Sequence, residues 1–547
     1  MCWICLIKGV NAVKYELLGK KISSPFTIPS GVITTEVQTI EMFANEIPEL
    51  GIITTKSIGM RKNDGNKEPI IAQYGSASFI NAVGLRNPGV AEFREKLSKI
   101  KIPRDRFLMI SIYGANEYEF RNVAEKLYEF ADGFELNLSC PHSKKYGKVV
   151  GQDANLVGRI VKFVSSLGKP VFIKVPPDVE DEVLETSIEN GANGFVAINT
   201  LGPAVLYHNG YPVLSNKFGG ISGKAILEIG IRTVRKIRKM TGLPIIAVGG
   251  ISDINDVVMY KQAGASYFGI GSALAGMSTS QIKEYFRRLL KDLEGGSNSA
   301  IKILKDARLL AQKNTYRKYR INKKVSFSED LYMVEFDASI DAQPGQFVFL
   351  WIPRVGEKPF SIFNDDPLSL LIKKRGRFTS YLAELGQGKQ VYIRGPYGNS
   401  PSLNGRVLLV GGGTGIAALY LFAKRYRNCV ALLGAKDKNH LPYTMFKDIC
   451  ELYLITEEGE IGMKGLVTDV LESVLLRTKP TFVVNCGPEQ MIRKAVKIEA
   501  KYVPQENIYS SIEKLTMCGI GLCGTCATPK GYRICVDGNF LLPYQLF

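Results

Sequence analysis

Along residues 13–296, short apolar runs rich in β-branched and aromatic residues alternate with stretches whose apolar positions recur every three to four residues. An apolar run of strand length bounded by turn residues suits a strand buried on both faces, and the intervening period suits an amphipathic helix. The strand candidates are 51–56, 107–113, 133–138, 171–175, 194–198, 244–248 and 267–270. Repeated βα units over this length predict an α/β fold, a parallel (β/α)8 TIM barrel, which takes roughly 250 residues.

After a connector at Glu294-Gly-Gly-Ser-Asn-Ser299 comes a basic stretch of helical period to about residue 315, and then the period changes. Strand-like alternation at 332–336, 346–351, 369–373 and 390–393, broken by Gly and Pro, predicts a small antiparallel β-barrel. From residue 406 the pattern is strand (407–410), glycine turn (411–415) and helix (416–426). Further strands at 431–433, 451–455 and 481–485 make this a nucleotide-binding α/β domain. The expected organisation is therefore a barrel at 1–295, a linker at 296–315, a β-barrel at 316–403, an α/β domain at 404–505 and a Cys- and Gly-rich segment at 506–547. No repeat of solenoid period is present.

A chain of 547 residues, 45% hydrophobic and 22% charged, has ordinary globular composition and length for several domains. The 70 basic and 52 acidic side chains leave a formal charge of +18, but neither half carries a concentrated basic tail. The densest cluster, nine Lys or Arg in residues 302–324, is interrupted by apolar residues and reads as a solvated helix and linker face, so no nucleic-acid partner is expected. No apolar run reaches bilayer length and no secretory pattern opens the chain, so a cytoplasmic protein with no membrane partner is expected. Ten cysteines are too few for a disulfide framework, yet four fall in the last 30 residues.

Those four, Cys518-x4-Cys523-x2-Cys526-x8-Cys535, have the spacing of plant-type [2Fe–2S] thiolate ligands. A zinc site would normally show a C-x2-C knuckle on both sides. Glycines at 519, 521 and 524 let backbone amides approach the sulfurs. Upstream, Gly411-Gly-Gly-Thr-Gly415, with Ala418 completing G-x-G-x-x-A, sits between a strand and a helix, where helix N-terminal amides can meet a pyrophosphate. Lys358-Pro-Phe-Ser361 precedes it and Asn485-Cys-Gly-Pro488 follows.

In this order the three features resemble the ferredoxin–NAD(P) reductase superfamily. With the cysteines after the nicotinamide domain and Ser511-Ile-Glu-Lys-Leu-Thr-Met leading into them, residues 316–547 resemble the electron-transfer subunit of NAD-linked dihydroorotate dehydrogenase. The resemblance implies FAD on Lys358, Pro359, Phe360, Ser361, Leu371, Ile372, Lys373, Phe378 and Thr379, and NAD on Gly411, Gly412, Gly413, Thr414 and Gly415. Lys358 stands where that family has Arg, which replaces a bidentate grip by a point charge.

The first half carries its own signals. Asn137-Leu-Ser-Cys-Pro141 follows a strand, and Lys56 and Lys174 end two others, at the barrel mouth where βα loops build sites. Two strand-end lysines there suggest an anionic ligand or a reduced flavin. Gly249-Gly250 and Gly271-Ser272 end the last two strands, the usual phosphate position of this fold. With Asn81-Ala-Val-Gly-Leu85, Ile198-Asn-Thr-Leu201 and Val213-Leu-Ser-Asn-Lys-Phe-Gly-Gly-Ile-Ser-Gly223, this set resembles the class 1 dihydroorotate dehydrogenase catalytic subunit over about residues 14–292.

That resemblance implies Cys140 as general base. Asn81, Val83, Gly84, Leu85, Asn137, Asn199 and Thr200 would hold the orotate ring. FMN would rest on Ser30, Lys56, Ser57, Asn137, Lys174, Ile198, Gly223, Gly249, Gly250, Gly271 and Ser272. It further implies oxidation of dihydroorotate to orotate in pyrimidine biosynthesis, with electrons passing through FMN, a [2Fe–2S] cluster and FAD to NAD⁺. Because the family commonly assembles, a homo-oligomer is expected. Two departures stand out: Ser111 replaces a family Asn near the flavin, and His142 follows Cys-Pro. Cys-Pro-His also occurs in dihydropyrimidine dehydrogenases, so an enzyme of uracil or thymine stays open, as does a non-catalytic electron carrier. Cys2-x-x-Cys5 reads as part of an extension, His208 and His440 as surface or loop residues rather than ligands, Cys429 and Cys450 as core, and Cys486 as part of the nicotinamide loop.

Overall fold

The computed structural model describes residues 15–138, 150–295 and 309–547. Eight parallel strands close a barrel in sequence order: β1 Phe26–Ile28, β2 Ile52–Thr54, β3 Phe107–Ile112, β4 Gly133–Asn137, β5 Val171–Val175, β6 Gly194–Ala197, β7 Ile245–Val248 and β8 Tyr267–Gly269. β1 is the strand the apolar pattern left out, being three residues long and set directly behind Ser24-Pro25. The outer helices keep the expected period. Leu227–Met240 buries Ile231, Val234 and Ile237, and Thr279–Leu293 opens on a capping box between Ser278 and Gln281.

Over the barrel mouth lies a four-stranded antiparallel sheet, in the order Leu201–Ala204, Gly219–Gly223, Ser78–Asn81, Ile71–Gln73. It carries the Asn81 turn and Gly223 to the strand ends. A hairpin of Tyr207–His208 and Tyr211–Pro212 projects beyond it. His208, on this hairpin, is half-buried against Tyr316, Trp351 and Tyr392 of the second half of the chain, with the Tyr392 ring edge-on at 5.1 Å.

The second half opens with seven antiparallel strands: β9 Arg317–Ser326, β10 Leu331–Phe336, β11 Phe347–Ile352, β12 Gly356–Ser361, β13 Asn364–Asp365, β14 Leu368–Lys373 and β15 Gln390–Tyr397. Their order is β12-β11-β15-β9-β10-β14-β13. The sheet curls until β12 meets β14, giving the barrel-like element without a hydrogen-bonded seam. Residues 317–324 of the basic cluster are strand rather than helix. In β9 Tyr319 and Ile321 point inward while Arg317, Lys318, Arg320 and Lys323 are exposed, so the solvated face is that of a strand.

A six-stranded parallel sheet follows: β16 Val407–Gly412, β17 Cys429–Ala435, β18 Glu451–Thr456, β19 Met463–Lys464, β20 Phe482–Cys486 and β21 Ile508–Ser511, ordered β19-β18-β17-β16-β20-β21. The helix expected at 416–426 is shorter: Gly413–Ala418 is a 3-10 turn and only Tyr420–Arg425 is α-helical. The final residues return to the barrel. Met517, Cys518, Ile520, Leu522 and Cys523 share one hydrophobic core with Ile28, Ile33 and Ile58. Among the described residues no helix is long and apolar enough to cross a membrane.

Candidate active site

At the C-terminal ends of the barrel strands a single cavity gathers every described residue expected there. It is lined by Ser30, Lys56, Ser57, Asn81, Val83, Gly84, Leu85, Asn137, Lys174, Ile198, Asn199, Thr200, Gly223, Gly249, Gly250, Gly271 and Ser272. Cys140 lies outside the described residues. The floor is a buried polar chain. Ser30 Oγ is 3.1 Å from Ser57 Oγ, which is 2.9 Å from Ser111 Oγ, and Ser111 donates to Glu135 Oε1 at 2.7 Å. Lys174 Nζ lies 3.8 Å from the same carboxylate, both side chains being buried. Asn137 Nδ2 donates to Ser57 Oγ at 2.9 Å, and among the described residues its buried Oδ1 has no protein partner beside the cavity. A buried polar atom in that state is an acceptor for a ligand.

The walls depend on close backbone approach. A Cβ on Gly223 (φ +90°) would lie 2.3 Å from the Ala77 carbonyl, and one on Gly250 (φ +78°) would lie 3.0 Å from the Gly223 carbonyl. Only glycine lets these turns meet, and their amides surround a pocket suited to a phosphate. Asn81 Nδ2 donates to the Gly220 carbonyl at 3.2 Å, and the Asn199 side chain accepts from Thr200 N at 2.8 Å, so both amides are held in place.

One wall of this cavity comes from the far end of the chain, through Cys518, Leu522 and Cys523. Ile33 N donates to Leu522 O at 2.6 Å, Thr35 Oγ1 to Cys523 O at 2.7 Å, and Gly276 N to Ile520 O at 2.8 Å. Among the described residues no three His, Cys, Asp or Glu side chains are grouped round a single ion. The four tail cysteines, all buried, approach in pairs: Cys526 Sγ is 3.4 Å from Cys535 Sγ, and Cys518 is hydrogen-bonded to Cys523 and to Cys535. Those bonds hold the Cys518 thiol well below its ordinary value. Four buried thiols in contact with one another at this sequence spacing suit a two-iron cluster.

Two further cavities belong to the second half. The first lies between the barrel and the curled sheet and is lined by Glu68, Pro69, Tyr211, Leu214, Ser215, Glu357, Lys358, Arg375, Phe378 and Thr379 among others. Lys358 Nζ pairs with Glu68 Oε2 of the barrel at 3.1 Å. The expected FAD set divides here. Lys358, Phe378 and Thr379 line this cavity, while Pro359, Phe360 and Ser361 are half-buried on β12, with Phe360 stacked on Phe378. The side chains of Leu371 and Ile372 lie in hydrophobic cores, and Lys373 lines the other cavity.

That other cavity sits at the C-terminal edge of the parallel sheet, lined by Gly412, Gly413, Thr414, Lys436, His440, Glu457, Pro488 and Lys494 among others. Gly411 and Gly415 do not line this cavity, and a Cβ on Gly415 would lie 2.3 Å from the Cys486 carbonyl. Burial works against a charged His440, but hydrogen bonds to Asp437 and Asp330, both 2.8 Å, raise its imidazole above the ordinary value. Burial pushes the Cys486 thiol up to about 12. Cys429 is buried and Cys450 half-buried, both as free thiols, donating to the Ala423 carbonyl at 3.7 Å and the Phe446 carbonyl at 3.6 Å.

The family model described as dihydroorotate dehydrogenase matches residues 12–291. The chain belongs to the dihydroorotate dehydrogenase family. Among curated relatives, a protein named dihydroorotate dehydrogenase B (NAD(+)), catalytic subunit, from Methanocaldococcus jannaschii is 40% identical over 274 residues, 49% of this chain and 88% of its own. One of the same name from Thermoplasma volcanium is 41% identical over 270 residues, 48% and 88%. A solved structure described as giving insights into flavin-based electron bifurcation by an NADH-dependent reduced ferredoxin-NADP oxidoreductase is 30% identical. It covers 42% of this chain and 89% of that one at a TM-score of 0.39.

The dihydroorotate dehydrogenase match ends before the second half begins, and the site residues that sequence reasoning missed are those whose partners lie far along the chain. Glu135 lay in view two positions before Asn137, but nothing local linked it to Lys174. Glu68 lies 290 residues from Lys358. The adjacent Glu357 pairs with Arg394 across 37 residues.

Proposed function

We propose that this chain catalyses dihydroorotate + NAD⁺ → orotate + NADH + H⁺, with the pyrimidine oxidised at the barrel mouth and the dinucleotide reduced at the parallel sheet. The observation that carries this reading is the single cavity holding all described ring and FMN residues, with Cys518 and Cys523 in its wall. The donor set fits FMN: glycine turns for a phosphate, two lysines, and the unpartnered Asn137 oxygen. The paired thiols fit a [2Fe–2S] cluster, and the Lys358 cavity fits FAD. When bound, the flavins would supply acceptors of two electrons or one, and the cluster a one-electron relay between them.

In this reading Asn81, Asn137, Asn199 and Thr200 orient the planar ring by hydrogen bonds. Lys56 and Lys174 offset the charge of the carboxylate substrate and of a reduced flavin. Cys140 takes the proton from C5; a thiol with an ordinary pKa of about 8.5 is mostly protonated at neutral pH, so the rate rises with pH. Docking of the tail against Ile33, Thr35 and Gly276 keeps the thiols at the cavity and excludes water from that side.

The test is steady-state turnover with NAD⁺ on dihydroorotate and on dihydrouracil. Replacing Cys140 by Ala should abolish dihydroorotate oxidation and leave NADH-driven dye reduction intact. Preference for dihydrouracil would overturn the substrate assignment, and equal loss of both activities in Cys140→Ala would overturn the division of labour.

A further inference from the structure

A buried ion pair stands between the two flavin cavities, and the reaction as assigned so far makes no use of it. Arg394 on β15 and Glu357 on β12 are both almost wholly excluded from solvent. The pairing is bidentate, Arg394 Nε to Glu357 Oε1 at 2.7 Å and Nη2 to Oε2 at 2.8 Å. The remaining nitrogen, Nη1, donates to the Cys518 carbonyl at 2.9 Å and to Tyr397 Oη at 3.0 Å. The guanidinium carbon lies 4.1 Å from the centre of the Phe349 ring, and a Cβ on Gly519 would come within 2.7 Å of that same ring. Tyr316 Oη donates to Glu357 Oε1 at 2.6 Å and completes the cage.

Stability gives a poor reason for this arrangement, since a buried ion pair can often be replaced by apolar residues of similar volume without loss. Its connections are more telling. Glu357 lines the cavity beside Lys358, and Cys518 lines the cavity at the barrel mouth. Glu357, Arg394 and Cys518 therefore form a direct hydrogen-bonded link between the two walls, and a planar fork can serve a carboxylate and a carbonyl at once.

We propose that Arg394, held by Glu357, is a positioning residue that fixes Cys518 between the two flavin cavities and raises the reduction potential of the cluster Cys518 helps to bind. This rests on the function proposed above. A fixed donor and positive charge at the backbone of a ligand residue favour the more negative, reduced form of the bound group.

The experiment uses the full chain with iron and both flavins loaded. Redox titration followed by electron paramagnetic resonance reads the cluster potential, and anaerobic stopped flow reads transfer from the dihydroorotate-reduced barrel flavin to the FAD side. Arg394→Gln is expected to shift the cluster to lower potential and slow transfer between the cavities about tenfold or more. Flavin reduction by dihydroorotate alone and by NADH alone should stay within about twofold. Arg394→Lys should not restore the potential, because it lacks the fork. Should Arg394→Gln fail to fold, Arg394→Lys and Glu357→Gln carry the same readouts. Variants with full iron and flavin content, an unchanged potential and an unchanged transfer rate would overturn this inference alone. A wild-type chain with no [2Fe–2S] signal would overturn it together with the function on which it rests.

Discussion

The barrel and the parallel-sheet domain each bury a glutamate, and they treat it in opposite ways. Glu135 of β4 has Lys174 Nζ at 3.8 Å and the Ser111 hydroxyl at 2.7 Å. Glu499, wholly buried behind β20, has no cation among the described residues: Asn485 Nδ2 donates to Oε2 at 2.8 Å, and Oε1 has no partner among them. Burial then pushes the Glu499 carboxyl up to about 8, against the smaller pull of the Asn485 bond. A charge is worth keeping in the interior only where a partner answers it, and in the barrel Lys174 stands beside the buried carboxyl. The parallel-sheet domain meets the same burial by holding a proton.

Breaking the answered charge should have the largest effect. Lys174→Met strands Glu135 and should cost about 3–5 kcal/mol in chemical denaturation, with loss of bound flavin. Adding Glu135→Gln should restore most of the stability but not the flavin. A single variant as stable as wild type would remove the contrast with Glu499.

The unanswered glutamate predicts a pH effect of definite sign. Unfolded, Glu499 loses its proton near 4.5; folded, near 8. Between those values the folded state holds one more proton, so stability falls as pH rises through that window and is level beyond it. Glu499→Gln should flatten the slope, melting several degrees above wild type at pH 8 and close to it at pH 5. A constant difference at both pH values would contradict the assignment.

The smallest effect is expected where a pair faces water. Lys358 and Glu68 meet at 3.1 Å, but the Lys358 side chain is 43% exposed, so Glu68→Gln should change stability by less than about 1 kcal/mol. Lys358→Ala should weaken FAD binding only severalfold, as read by flavin fluorescence titration.

The fold was legible where apolar runs repeat, and Val171–Val175 has the bounds its sequence predicts. β1 was not, because three residues after Ser-Pro carry too little pattern. In β9 a basic surface hid an alternation that rests on Tyr319 and Ile321 alone. Of the site, the residues on strand ends and glycine turns were readable because their chemistry is local. Glu68, Glu135 and Arg394 were not, since each acts through a partner that the fold alone brings near.

The tail that walls the barrel cavity also sets a schedule. Thr35 and Cys523, which share a hydrogen bond, are 488 positions apart. At about 5–20 residues per second, roughly 25–100 s of synthesis separate them. For about the second half of that interval, once β8 has been made, the nascent barrel stands with one wall of its mouth missing, and a flavin arriving then meets an open door that the last stretch of the chain afterwards shuts.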